Sequence, residues 1–271
     1  MNFISKAFVA VLNVSPRFKK ALWKRVYQFL ASRYPTEEWT FMNYGFARLD
    51  GNQPELKNED EKNRYFIQLY DHVVSSVSLK GKKVLEIGSG RGGGSEYIKR
   101  YFNLNEMIGL DYSENAVNFC EKNYSTEGLS FKYGDAEKLP FGDSSFDSVV
   151  NVESSHCYSS VPQFVKEVER VLKPGGYFLF ADFRDLVDFN ILEEILLSSG
   201  LEVIKKENIS KQVVHGLDEF NEEKMARFQA VFGSWLKKPL SEFAGMKGST
   251  MYEALKSGET VYYHYTLRKS E

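Results

Sequence analysis

The chain has little of what would make it a secreted, metal-scaffolded or nucleic-acid-binding protein. Two cysteines in 271 residues, Cys120 and Cys157, are too few for a disulfide framework and lack the spacing of a metal motif. A reduced, intracellular setting is therefore the default. Thirty-five Lys and Arg stand against 37 Asp and Glu, a formal net charge of −2, which leaves no electrostatic case for nucleic acid as a partner. Long apolar runs are missing too. The stretch 3–14 is too short to span a bilayer, and its basic residues follow it, whereas a secretory leader carries them in front. Histidine is scarce, with only His72, His156, His215 and His264 to carry any imidazole chemistry.

What is present is a sizeable apolar content, 42% hydrophobic with 15% aromatic. That suffices for one large α/β domain and leaves aromatics over for a pocket. Near the start, Arg17, Lys19, Lys20, Lys24, Arg25 and Arg33 interleave with Phe18, Leu22, Trp23, Val26, Tyr27 and Leu30. This pattern suits an amphipathic helix, either packed on its own domain with a solvated basic face or in peripheral contact with an anionic membrane. The expected location is the cytoplasm, with that membrane contact as an option.

From about residue 80, short apolar strands alternate with helical segments, the pattern of a doubly wound, mainly parallel sheet. Strands are expected at 83–87, 107–110, 129–133, 146–152, 177–181, 201–209 and 261–267. Helices are expected after the glycine loop to about Phe102, from a Ser113 cap to about Tyr124, over 162–172 and near 188–199. The stretch 211–260 reads as helical with breaks at Gly216, Gly233, Pro239, Gly245, Gly248 and Gly258. The expected organisation is an N-terminal helical extension and lid (1–80), a Rossmann-like core (81–210), a helical substrate-cap insertion (211–260) and a final core strand (261–271).

The segment 84–97 reads VLEIGSGRGGGSEY, with Gly88, Gly90 and Gly93 in a G-x-G-x-x-G pattern between a strand and a helix. Such a loop brings backbone amides and a helix N-terminus against a ligand. By itself it fits a dinucleotide or S-adenosylmethionine (SAM). Glu86, two residues before the first glycine, suits a cationic amino-acid head and repels a pyrophosphate. Asp111 ends the second strand, where a carboxylate takes ribose hydroxyls. Asp135 ends the third, where it can accept from an adenine amino group or simply close a turn.

VLEIGSGRGGG, GLDYS, GDAEKLPFGDSSFD and VLKPGGYFLFAD resemble, in order, the signature motifs of class I SAM-dependent methyltransferases. NVESSHCY, GGYFLFADFR, FMNYGF and the tail FAGMKGSTMYEALKSGETVYYHY resemble the phthiotriol/phenolphthiotriol dimycocerosates methyltransferase family, which has relatives acting on fatty-acid carboxylates. The resemblance implies a seven-stranded sheet with its last strand antiparallel and SAM bound over the glycine loop. Gly88, Ser89 and Gly90 would run under the methionine part, with Glu86 near its ammonium. Asp111 would hold the ribose, Tyr112 would flank the adenine, and Asp135 with Ala136 would meet its edge. Asn151 and Val152 would form the floor beside the transferable methyl.

Methyl transfer needs a nucleophile aligned with the S–CH₃ axis. A hydroxyl must also lose a proton, whereas a carboxylate needs only positioning. His156, at the carboxyl edge of the fourth strand, is the best-placed base if the acceptor is a hydroxyl and a binding and orienting group if it is a carboxylate, the alternative being a loop residue bonded to backbone; Glu153 three residues earlier would orient it if a helical turn forms there. No metal is expected: Glu-x-x-His occurs once, without further ligands. Trp39, Phe41 and Tyr44 are expected to meet substrate, and Phe220, Phe228, Phe232, Trp235, Phe243 and Met246 of the insertion either help form an apolar tunnel or pack as a helix pair on the sheet edge. The sequence thus points to O-methylation of a lipid-like or polyketide molecule. Carbon methylation, a nicotinamide oxidoreductase and a non-catalytic SAM-binding module are the alternatives.

Overall fold

The computed structural model describes residues 39–232 and 245–271. The basic amphipathic segment lies outside them, as do Trp235, Phe243 and the side chains of Phe228 and Phe232.

The centre of the sheet grows from near-continuous buried stretches, Val84–Ile87, Met107–Leu110, Ser148–Val152 and Phe178–Ala181, as expected where both faces are covered, whereas the edge strands 129–133 and 201–208 are largely exposed. Its strands are β1 (Lys83–Ile87), β2 (Glu106–Asp111), β3 (Leu129–Tyr133), β4 (Phe146–Val152), β5 (Leu172–Asp185), β6 (Leu201–Asn208) and β7 (Thr260–Lys269). The helices are α1 (Arg64–Val74), α2 (Gly93–Tyr101), α3 (Glu114–Asn123), α4 (Val161–Val171), α5 (Leu186–Leu197), α6 (Ser210–Phe232) and α7 (Thr250–Ser257). The strand order is β3-β2-β1-β4-β5-β7-β6. β1 to β5 run parallel where they pair, and β7 is antiparallel to both β5 and β6.

Alternation along the strands divides the core into two layers. Val84, Val150, Leu179 and Tyr262 face α1, α2, α6 and α7, whereas Leu85, Val149, Phe178 and Tyr265 face α4 and α5. Helix starts follow cap chemistry: Ser113, Ser160, Asp185 and Ser249 each accept a backbone N–H from the first turn of the helix they precede.

Two expectations need correction. Gly216 does not break the helix: it lies within α6, and a Cβ there would come within 2.8 Å of the Phe46 backbone. This glycine is a close-approach residue. β5 also extends well beyond 177–181, because β7 pairs with it from Tyr177 through Asp185. Its extension brings Asp182, Phe183 and Arg184 to the working edge of the sheet.

Residues 39–48 form an extended strap laid over the carboxyl ends of the parallel strands. Phe46 N donates to the Tyr65 carbonyl at 2.9 Å and Ala47 N to the Gln212 carbonyl at 3.0 Å. Phe41 and Phe46 join the same core layer as α1 and α6. Among the described residues, no helix is long and apolar enough to cross a membrane.

Candidate active site

The loop after β1 is shaped by its amides. Gly88 and Ser89 N–H both donate to the Leu110 carbonyl, at 2.8 and 3.0 Å, and Gly90 N–H donates to Asp111 Oδ2 at 2.8 Å. Gly88 has φ +76°, and a Cβ on it would lie 2.4 Å from the Ser154 hydroxyl, so only glycine serves there. Gly94 is constrained differently: a Cβ would sit 2.1 Å from the Tyr70 ring. The unusual glycine run 92–94 therefore lets α2 begin tight against α1 and the strap, where Gly93 N–H donates to the Thr40 carbonyl.

A cleft opens above this loop at the carboxyl ends of β1, β2 and β4. Its polar wall includes Gly88, Ser89, Gly90, Asp111 and Asp135, with Tyr112, Ala136 and Val152 beside them. Asp111 is fixed by Ser113 N–H at 2.8 Å as well as by Gly90, and burial raises its pKa above the usual carboxylate value. Asp135 accepts from Glu137 N–H at 3.0 Å in the turn after β3. Tyr112 stacks on Tyr133 with centroids 5.8 Å apart.

The strap makes the opposite wall, through Trp39, Phe41 and Met42. Arg91 ties strap to loop, donating to the Trp39 carbonyl while its guanidinium lies 3.7 Å from the Phe119 ring centroid. Of the three aromatics expected to meet substrate, Trp39 and Phe41 line the cleft. Tyr44 does not; its ring packs on Phe183, 5.1 Å between centroids.

Two residues expected at the cofactor, Glu86 and Asn151, do not line the cleft. The Glu86 side chain is fully buried, on the face that carries α1 and α2, and does not line the cleft. Tyr70 donates to it at 2.7 Å and Ser95 by a second short bond. Burial lifts its pKa to about 7 against the pull of those two donors. Asn151 likewise does not form the floor. It faces the other layer of the sheet, where its amide nitrogen lies 2.8 Å from the Ile87 carbonyl, 2.7 Å from Ser154 Oγ and 3.0 Å from Tyr158 Oη, two hydrogens shared among three acceptors. It braces the loop after β4 against the end of β1. Val152, one residue on, does reach the cleft.

The expected Glu153–His156 pair is not formed. Glu153 has φ +47°, so no helical turn starts there. Its carboxylate accepts from the Tyr44 amide at 2.9 and 3.1 Å and from the Tyr262 hydroxyl at 3.0 Å. Burial lifts its pKa to about 7, although both donors favour the ionised form. Lys224 of α6, also buried, donates to the Tyr44 carbonyl at 3.2 Å; burial lowers its pKa to about 8, with Glu153 opposing.

The partner that orients His156 is Asp182. Nδ1 lies 2.9 Å from Asp182 Oδ1, and the His156 backbone N–H donates to Oδ2 at 3.1 Å. Ser155 and Arg184 complete a buried network around this carboxylate, at 2.6 and 3.2 Å. Burial alone would depress the imidazole pKa, but Cys157 and Asp182 outweigh it and lift it to about 10. Burial would likewise raise the Asp182 pKa, but Arg184 and His156 hold it well below the ordinary carboxylate range. The ring packs on Phe183 at 4.6 Å. Glu153, Ser154, Cys157 and Tyr158 line the cleft, whereas His156 turns toward Phe183, next to Tyr44. The sequence signal for Asp182 was its place at the carboxyl edge of β5, in the FADFR stretch, a position that periodicity shows only as a strand end.

A methyltransferase-domain family model matches residues 85–180. The chain is 36% identical over 246 residues to the fatty-acid O-methyltransferase of Mycolicibacterium smegmatis, covering 91% of this chain and 89% of that protein. It is 33% identical over 250 residues to the phthiotriol/phenolphthiotriol dimycocerosates methyltransferase of Mycobacterium leprae, covering 92% and 93%. Among solved structures, the cyclopropane synthase MmaA2 from Mycobacterium tuberculosis superposes with a TM-score of 0.67 at 14% identity, over 89% of this chain and 93% of that one. At that identity the likeness speaks for the fold alone.

Proposed function

The chain belongs to the SAM-dependent methyltransferases, in the group of the fatty-acid and phthiotriol/phenolphthiotriol dimycocerosates methyltransferases, and from that premise we propose that it methylates an oxygen of a lipid-like acceptor. The observation that carries this reading is the two-sided cleft. One wall offers loop amides and the carboxylates of Asp111 and Asp135; the other is the aromatic strap of Trp39 and Phe41. A polar cofactor and an apolar acceptor need such opposed surfaces.

When bound, SAM supplies a methyl on a sulfonium. In this reading Gly88, Ser89 and Gly90 pass under its methionine part, Asp111 takes the ribose hydroxyls, and Tyr112, Asp135 and Ala136 meet the adenine. Glu86 acts from beneath the loop, its charge close to the ammonium and its orientation set by Tyr70 and Ser95. Val152 floors the transfer path, and the strap excludes water from it. Asn151 positions the loop that carries Glu153 and Ser154.

His156 lies beside the cleft rather than in its wall, flanked by the cleft residues Glu153 and Cys157, and in this reading the acceptor oxygen meets it from that side, where Asp182 holds the ring. An imidazole lifted to about 10 keeps its proton at neutral pH. That charge state suits orienting an ionised oxygen, as in a carboxylate, better than deprotonating a hydroxyl.

The test is product mass spectrometry after incubating the chain and SAM with free fatty acids, hydroxylated lipids and short polar acceptors. Methyl esters or ethers of long-chain acceptors are expected. Methylation of short polar acceptors alone would sink the lipid reading, and a methyl on carbon would sink the oxygen one. His156→Ala is expected to lower kcat by about 10²-fold with the Kd for SAM unchanged; undiminished turnover would remove His156 from the chemistry.

A further inference from the structure

Away from the cleft, three side chains from three elements meet between α1 and the outer strands: His72 of α1, Glu207 of β6 and His264 of β7. Their ligand-capable atoms all lie within 4.8 Å of one another. His72 Nε2 is 3.0 Å from Glu207 Oε2, and His264 Nδ1 is 3.9 Å from the same oxygen.

The tautomer of His264 follows from its neighbours. Thr266 Oγ1 donates its hydrogen to Ser76 Oγ at 3.0 Å. Toward His264 Nε2, 3.4 Å away, it can therefore only accept. The proton of His264 thus sits on Nε2, and Nδ1 carries a bare lone pair. That nitrogen is fully buried, has no hydrogen-bond partner, and looks at a carboxylate oxygen, which is also a lone-pair donor. Two acceptors facing each other at 3.9 Å with no hydrogen between them is an unfavourable arrangement. A cation between them would reverse its sign.

We propose that His72, Glu207 and His264 form a binding site for one zinc-class divalent cation, which ties α1 to the β6–β7 edge of the sheet. Two imidazole nitrogens and one carboxylate oxygen are a borderline donor set that suits zinc, cobalt or nickel over calcium or magnesium. Zinc–ligand bonds of about 2.0–2.2 Å at tetrahedral angles put two ligand atoms roughly 3.3–3.6 Å apart. The His72–Glu207 separation of 3.0 Å lies just below that range and the His264–Glu207 separation of 3.9 Å just above it, so small side-chain shifts close the site. Coordination requires His72 to move its proton from Nε2 to Nδ1, freeing the Nε2 lone pair. It also requires Glu207 to turn from Lys205, now 2.7 Å away. Thr266 is the outer partner that holds His264 in register, as ligating histidines ordinarily need. The Glu207 side chain is 29% exposed, so water can complete a fourth position.

The test is titration of the chelator-treated full chain with cobalt(II), read by visible absorption, and with zinc(II), read by calorimetry. One equivalent is expected, with a tetrahedral-type cobalt band and a higher melting temperature in zinc. Affinity should fall at least tenfold in Glu207→Gln and in His264→Gln and stay unchanged in His215→Ala. Because His264 is buried, folding of each variant is checked by its SAM affinity; Glu207→Gln, on the rim, carries the test if His264→Gln does not fold. No binding by the wild type, or equal binding by wild type and Glu207→Gln, overturns the site.

Discussion

His156 and Asp182 show how a single residue pair sets a pH response. A histidine whose folded pKa exceeds its unfolded value of about 6.5 adds stability that is fully present below that value and lost as pH rises toward the folded pKa. Here the window runs from about 6.5 to about 10. Lys224, lowered to about 8, titrates inside the same window with the opposite sign, so the readout is the difference between wild type and His156→Gln. In urea unfolding that difference should fall across the window with a slope approaching about 1.4 kcal/mol per pH unit, and parallel profiles for the two would refute the coupling. Gly94 makes a second residue-scale case. Gly94→Ala places a methyl inside the Tyr70 ring, so SAM affinity should drop at least tenfold by calorimetry. Tyr70→Ala in the same chain should restore part of it, because the clash is then relieved. An unperturbed affinity in the single variant would show that α1 yields without cost.

Among the elements, α6 makes the sharpest contrast between local and tertiary preference. Replacing a helical glycine with alanine ordinarily gains about 1 kcal/mol. At Gly216 the added Cβ meets the Phe46 backbone at 2.8 Å, and overpacking of this kind costs about 1–3 kcal/mol. Gly216→Ala should thus lower the melting temperature, and a rise would mean the strap moves aside freely. The same residue marks where sequence reading ran out. Strand positions were legible because buried parallel strands are continuous apolar runs, and the seven strands fall where Val84–Ile87, Met107–Leu110 and their successors place them. Gly216 looked like a break because a single glycine carries the same local signal whether it ends a helix or admits a neighbouring backbone. Only the 170-residue separation between it and Phe46, closed by the fold, tells the two apart. Asp182 and Glu153 were obscured likewise. The Glu153 partners, Tyr44 and Tyr262, are each 109 residues away, and no local spacing encodes them.

For the molecule as a whole, the proposed place of Glu86 beneath the cofactor loop would couple cofactor binding to protons. Glu86 has its pKa raised to about 7, and a cationic amino-acid head bound nearby would favour its ionised form. SAM binding near neutral pH should therefore release protons, and affinity should climb with pH up to about 7 and level off above it. Calorimetry in two buffers of different ionisation enthalpy measures this. No buffer dependence would separate Glu86 from the cofactor. Without ligand, the sign for stability is the opposite. Glu86 and Glu153 are both raised, so the folded chain holds more protons than the unfolded one between about 4.5 and 7, and their contribution improves as pH falls through that range.

The strand order carries one more consequence, for how the chain is made. Among the described residues β6 pairs only with β7, yet β7 comes after α6 and α7 in the chain. A ribosome adding roughly 5–20 residues per second therefore releases β6 seconds before its neighbour exists. Until then β5 is the sheet's bare margin, β6 has nowhere to dock, and Glu153 lacks its Tyr262 partner. By filling the slot between β5 and β6, β7 joins the outer edge of the sheet to the Glu153 loop in one step.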